Sequence, residues 1–258
     1  MTDPVRVGLA VAEFQVLTLG HAGLLDWLVA SCPRRILALG SSDKAGVPGH
    51  PFTFLQRKAL VEAAYGKGTF AFVSLRDIRA THRGEWCDYV LDRIRGMGLP
   101  EPTDYFAGSA LDARWYETRF PAAGKVPGLA DGPGRAWTDP ATGRTTRILD
   151  RTATPFPAAR EVRDLIEMRD PEWRDYVPEA TRELVEREYP PGLRLPLSGP
   201  LPRPGLHPVG TLHKETPDAP LLELMDDGKW RPVGDGDDEK ARDARERRDR
   251  RRDARRGR

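Results

Sequence analysis

The 258-residue sequence contains only two cysteines, Cys32 and Cys87, and no C-x-x-C pair. That excludes a disulfide framework and a zinc site built on paired cysteines. Both sit in stretches with helical periodicity, where a cysteine packs as a small apolar residue. No apolar run approaches the ~18–20 residues of a membrane span. The start, Met1-Thr2-Asp3-Pro4, lacks the basic end and apolar block of a secretory leader. These absences make a reducing, cytoplasmic setting without a membrane partner the expectation. The five histidines show no metal-ligand spacing, so no residue is assigned to a resident metal. The net charge is only +2, so the whole-chain balance makes no case for nucleic acid. The charge is uneven, however. Residues 242–258 mix many arginines with Asp and Glu and contain no aromatic residue to stack on bases. The stretch reads as a solvated tail, and nucleic acid would be reached through it alone, by counterion release.

What is present is an alternation of short apolar runs and amphipathic stretches. Residues 5–12, 35–40, 69–75, 103–107 and 145–149 read as buried strands. Residues 20–32, the stretch from Thr53, and residues 85–97, 158–168 and 178–188 read as helices. Thr53-Phe54-Leu55-Gln56 fits a capping box. Strand and helix alternating at this spacing predict an α/β fold, a Rossmann-like parallel sheet with helices on both faces. The domain is expected over residues 1–189. Residues 121–143, rich in Gly and Pro, read as a surface loop insertion. Residues 190–234 read as a proline-rich extension, and 235–258 as a charged, disordered tail. His50, His82, His207 and His213 read as surface loop histidines.

In an open parallel sheet, ligands sit at the carboxyl ends of the strands. The first strand leads into Thr18-Leu19-Gly20-His21 and then a helix. A helix N-terminus offers unpaired N–H groups and a partial positive charge to phosphates. Gly20 lets a ligand approach the backbone, and His21 places an imidazole donor at the same spot.

This turn resembles the Thr/His-x-Gly-His signature of the cytidylyltransferase-like nucleotidyltransferase superfamily. Further pieces resemble the archaeal-type nicotinamide-nucleotide adenylyltransferases. Glu13-Phe14-Gln15 resembles the Arg-Phe-Gln that precedes the signature. Gly40-Ser41-Ser42, then Pro51-Phe52-Thr53 and Arg57, resembles the second loop and helix. Arg76-Asp77-Ile78 with Trp86 and Val90, and Gly108-Ser109, follow in order. Arg160-Glu161-Val162-Arg163, then Trp173 and Val177-Pro178, resembles the last block. The resemblance covers residues 5–188. It implies adenylyl transfer from ATP, with Mg²⁺, to nicotinamide mononucleotide or a similar phosphorylated acceptor, releasing pyrophosphate. It implies His21, Thr18 and Arg163 as catalytic residues. Phe14, Gln15, Gly20, Arg57 and Arg160 would bind ATP and its phosphates. Ser41, Asp77, Trp86, Gly108 and Ser109 would bind the acceptor, with Trp86 against the nicotinamide ring. Homo-oligomerisation is compatible with the resemblance, although no interface is legible.

Each residue also has a plainer reading. Trp86 and Trp173 read equally as core aromatics, Asp77 as a turn residue, and Arg57 and Arg163 as surface helix residues. Several positions depart from the family pattern. Thr18 stands where the archaeal-type enzymes carry His, and a hydroxyl cannot hold charge. Glu13 replaces an arginine, exchanging attraction of phosphate for repulsion. Ala158 and Arg160 replace the Ser and Thr of a Ser-Gly-Thr motif. His50 and Ser109 each replace Asn. The departures leave two alternatives open: a relative with a different phosphorylated acceptor, or a nucleotide-binding regulatory protein on the same fold.

Overall fold

The computed structural model describes residues 5–119, 126–128, 132–139, 141–150, 156–216 and 218–233. The charged tail expected over residues 235–258 lies outside the described residues.

The chain opens with β1 (Val7–Ala12), α1 (Leu19–Ser31), β2 (Arg34–Leu39), α2 (Phe54–Tyr65), β3 (Ala71–Ser74) and α3 (Arg83–Gly96). Then come β4 (Asp104–Ala107), α4 (Ala110–Glu117), β5 (Val126–Gly128), β6 (Gly134–Thr138), β7 (Thr145–Leu149), α5 (Ala159–Glu167) and α6 (Arg182–Glu188). The seven strands form one sheet in the order β3-β2-β1-β4-β7-β6-β5. The first five in that order are mutually parallel, and β6 and β5 add on antiparallel. The α/β class and its parallel sheet are thus as expected, and α4 is an additional helix that the sequence reading passed over.

Alternation along the strands divides the core into two layers. On one face, Ala10 of β1, Leu37 and Leu39 of β2 and Phe106 of β4 meet Leu25 and Leu28 of α1, Val61 of α2 and Val162 and Ile166 of α5. On the other, Leu9, Ile36, Ala38, Val73 and Tyr105 meet Val90 and Ile94 of α3 and Ala113 and Tyr116 of α4. A strand buried on both faces reads as a continuous apolar run, as β1 and β2 do. Cys32 and Cys87 are buried free thiols within this frame.

Two segments differ from expectation. The 121–143 region is not simply a loop, because it supplies β5 and β6. The Gly-Pro content hid a short alternating stretch, Gly134-Arg135-Ala136-Trp137-Thr138, that pairs with all of β7. The proline-rich extension is likewise not merely extended. It forms a second, four-stranded sheet from β8 (Leu197–Ser198), β9 (Leu212–Lys214), β10 (Leu222–Leu224) and β11 (Trp230–Pro232). His213 therefore is no surface loop residue. It is buried in β9, with Nε2 2.9 Å from the Gly199 carbonyl and its ring tilted against Trp230.

Candidate functional site

β1 lies between β2 and β4, so the chain crosses to opposite sides of β1 and leaves a crevice at the carboxyl edge. Four connections converge on that edge, residues 13–18, 40–53, 75–82 and 108–109, and residues 156–158 lead into α5 beside them. Every candidate residue from the sequence lies on one of them or in the helix that follows.

Thr18 caps α1. Its Oγ1 accepts from the His21 amide at 3.3 Å, and the Thr18 amide donates to His21 Nδ1 at 3.3 Å. The capping box thus has histidine in the place of the usual Glu or Gln. A backbone amide can only donate, so Nδ1 of the neutral ring is the acceptor and the ring proton resides on Nε2. Phe14 backs the imidazole edge-on, with centroids 4.9 Å apart. The cap therefore fixes both the tautomer and the plane of the His21 ring.

Phe14 and Ser41 both have left-handed backbone, with φ of 49° and 47°. Each stands two residues beyond its strand, after Ala12 and Leu39, which are register partners. For non-glycine residues this conformation carries strain that the surroundings must hold. Arg57 holds it. Its guanidinium is fully buried and donates to the carbonyls of Glu13 at 2.6 Å and Gly40 at 2.7 Å. Longer bonds run to the carbonyls of Ser41 and Thr53, both at 3.4 Å. Burial lowers the Arg57 pKa from its ordinary value. Arg57 is thus neither a surface residue nor a lining of the crevice. It sits beneath the β1–α1 and β2–α2 turns and clamps them. Gln15 has a similar place: buried, it accepts from the Phe52 amide at 3.1 Å, and its Nε2 lies 3.4 Å from His50 Nδ1.

Glu13, which the sequence reading set beside the phosphates, turns toward the β2 side. Ser41 Oγ lies 3.0 Å from Glu13 Oε1 and 2.9 Å from Asp77 Oδ1. His50 Nδ1 is 3.6 Å from the other Glu13 oxygen. Lys44 pairs with Asp77 at 2.5 Å, and Asp43 accepts from the Asp77 amide at 3.2 Å. The Lys44 bond, followed by the Ser41 bond, holds the Asp77 pKa below the ordinary carboxylate range. Lys44, Asp43 and His50 escaped the sequence reading as partners, because loop residues carry no periodic signal.

Trp86, in the first turn of α3, is half-buried against the second core layer and tilts on Tyr89 at 5.5 Å. Tyr89 in turn accepts from the Arg76 amide beside Asp77 at 2.9 Å. Ser109 caps α4, accepting from the Asp112 amide at 3.2 Å, while its hydroxyl lies 2.7 Å from the Asp112 carboxylate. Gly108 completes that turn. Trp173 is a core aromatic, stacked under Arg174.

Arg160 and Arg163 project from the first turns of α5. Arg160 is exposed, Arg163 half-buried. Ala158 supplies no side-chain cap, although Glu161 reaches back to the Ala158 amide at 3.0 Å. The approach to α5 passes over the start of α1: a Cβ on Gly20 would lie 3.7 Å from that of Phe156. The residues that lead into α5 thus lie against the start of α1, and both helices begin at the carboxyl edge of the sheet. The arrangement can hold a polyanion between N–H dipoles, an imidazole and guanidinium groups. No helix among the described residues is long and apolar enough to cross a membrane.

No protein-family model matches the sequence, and no curated protein matches it either. Solved structures do. One is the NadR protein in complex with NAD and AMP-PNP, at 15% identity and a TM-score of 0.45, covering 71% of this chain and 47% of that one. Another is a bifunctional NMN adenylyltransferase/ADP ribose pyrophosphatase from Francisella tularensis, complexed with AMP and a manganese ion. It is 17% identical with a TM-score of 0.38, covering 45% of this chain and 35% of that one. The chain spans less than half the length of either structure.

Proposed function

We propose that this chain is a nucleotidyltransferase that moves an adenylyl group from ATP to a phosphorylated acceptor, nicotinamide mononucleotide first among the candidates. The observation that carries the reading is the Thr18–His21 capping box, which orients the His21 imidazole at the start of α1. In the reaction an acceptor phosphate oxygen attacks the α-phosphorus of ATP, the bond to the bridging oxygen breaks, and pyrophosphate leaves. The protein's part is to hold two anions in line and stabilise the charge that develops. His21, Arg163 and Arg160 supply donors, Thr18 orients His21, and Gly20 admits the phosphates to the helix end. Phe14, Gln15 and Arg57 act from beneath by fixing the turns. Ser41, Asp77, Trp86, Gly108 and Ser109 border the acceptor side. Magnesium enters with the substrate MgATP. Among the described residues no group of three His, Cys, Asp or Glu side chains is placed to hold a metal, and Mg²⁺ carried by phosphates needs few protein ligands.

The test is incubation of the full chain with ATP, Mg²⁺ and nicotinamide mononucleotide, following NAD and pyrophosphate. His21→Ala is expected to lower kcat by about 100-fold or more, the scale for loss of a transition-state donor. Absence of product with this acceptor and with a panel of other phosphorylated acceptors rejects the reading. Glu13 supports a second reading, a nucleotide-binding regulatory protein. Its half-exposed carboxylate, with Asp43 and Asp77 nearby, opposes an incoming acceptor phosphate. That reading expects ligand binding by calorimetry without turnover. Turnover abolished by His21→Ala rules it out.

A further inference from the structure

The chain carries a second concentration of guanidinium groups, away from the carboxyl edge. Arg169 follows the C-terminal end of α5, which at nine residues is about 13 Å long. It therefore lies at the opposite end of that helix from Arg160. Arg169, Arg187 and Arg194 line a cavity of about 380 Å³ together with Glu183, Glu186, Leu206, His207 and Pro208. The cavity lies between α6 and the proline-rich extension.

Two of its arginines are short of acceptors. Arg194 is nine-tenths buried; it bonds Glu186 Oε1 at 2.5 Å and the Glu186 carbonyl at 2.7 Å, yet its Nε is buried with no partner among the described residues. Arg169 donates from Nε to the Leu195 carbonyl at 3.0 Å, yet its Nη2 is likewise buried and unsatisfied. Leaving a charged donor unmet in this way costs more than leaving a neutral one, and most buried polar groups are paired. Arg169 has left-handed backbone, φ 58°, because it closes α5 in a Schellman cap: its amide donates to the Ile166 carbonyl at 3.1 Å and the Asp170 amide to the Leu165 carbonyl at 2.9 Å. Burial and the neighbouring Arg194 both lower the Arg169 pKa, while Glu186 opposes them.

The acidic groups on the wall do not balance this charge. Arg174 takes the second oxygen of Glu186 at 3.0 Å and Arg187 pairs with Glu188 at 2.8 Å, so among the described residues Arg169 is the guanidinium of the wall without an ion pair, with exposed Glu183 the remaining carboxylate. Guanidinium forks match the oxygens of a tetrahedral anion. We propose that this cavity is a phosphate-binding site, separate from the crevice of the sheet and independent of the nucleotidyltransferase reading.

The test is calorimetric titration of the full chain with inorganic phosphate at constant ionic strength, in wild type, His21→Ala, Arg169→Met and Arg187→Ala. The His21→Ala variant removes the crevice donor, so phosphate held by it belongs elsewhere. Binding is expected to persist in His21→Ala, weaken at least tenfold in Arg169→Met, and weaken several-fold in Arg187→Ala. Arg187 is exposed and among the described residues pairs only with its neighbour Glu188, so its removal leaves the fold intact and decides the matter if Arg169→Met does not fold. Absence of phosphate binding in wild type, its loss in His21→Ala alone, or its survival in Arg187→Ala and any folded Arg169→Met at wild-type strength overturns the proposal.

Discussion

Ser41 carries a single hydroxyl proton and faces two carboxylates, Glu13 and Asp77, at hydrogen-bond distance. One of them must bond elsewhere, and Lys44 meets that need at Asp77. The folded-state pKa of Asp77 is therefore below its ordinary value. The sign follows directly: the pairing contributes stability above the ordinary carboxylate pKa of about 3.9 and loses it as the pH falls through the lower folded value. Both partners are largely exposed, so the contribution to global stability is small. Carbon-detected NMR titration should show the Asp77 midpoint rising toward its ordinary value in Lys44→Ala. A midpoint that does not move would reject Lys44 as the principal cause. Arg57 shows the opposite extreme, a buried charge whose contacts are all backbone carbonyls.

At the scale of elements, glycines set how closely the β6–β7 hairpin can pack on α1. A Cβ on Gly134 would lie 2.2 Å from the Ile148 carbonyl oxygen and 2.9 Å from the Trp27 ring. The first contact is with backbone, which cannot swing aside as a flexible side chain can. Gly134→Ala should therefore force β6 away from β7 and destabilise the protein by about 1–3 kcal/mol, the usual range for overpacking. At this size that lowers Tm by roughly 2–4 °C per kcal/mol. Gly192→Ala, where a Cβ meets nothing within 4 Å, serves as the control and should stay within about 0.5 kcal/mol. Equal Tm for the two variants would show that the hairpin does not pack this way.

Across the whole molecule, the sheet has two edges with different tasks. The carboxyl edge gathers strained turns, helix N-termini and half-exposed charge. The amino edge is fastened by Asp104, which is buried on β4 and pairs with Arg6 ahead of β1 and with Arg147 of β7. Thr103 Oγ1 donates to the same carboxylate at 2.6 Å. The cluster joins the three central strands at the end away from the crevice. Asp104→Ala removes the buried carboxylate that bonds both Arg147 and Arg6, and breaking a buried pair costs about 3–5 kcal/mol. Equilibrium urea unfolding measures this, and a change under 1 kcal/mol would mean the cluster relaxes to solvent. The proposed adenylyl transfer, measured per folded molecule, should be unaffected, because the residue lies at the far edge of the sheet.

The sequence by itself determined the α/β class, because a strand buried on both faces must be a continuous apolar run and its flanking helices must be amphipathic. It also determined the Thr18–His21 turn and the Thr53 capping box, since caps rest on residues three apart. Only the tertiary structure decided what Arg57 and Gln15 do, because their partners are distant backbone groups that no local pattern encodes. The same holds for the direction of Glu13, the pairing of 134–138 with β7 and the burial of His213. Each depends on which segments the sheet order brings together, and short strands among Gly and Pro carry too little periodicity to announce themselves. Sequence placed the candidate residues on the connections and helix starts at the carboxyl ends of the strands. Folding sorted them into those left exposed at that edge, as Arg160 is, and those that hold its turns in place, as buried Arg57 and Gln15 do.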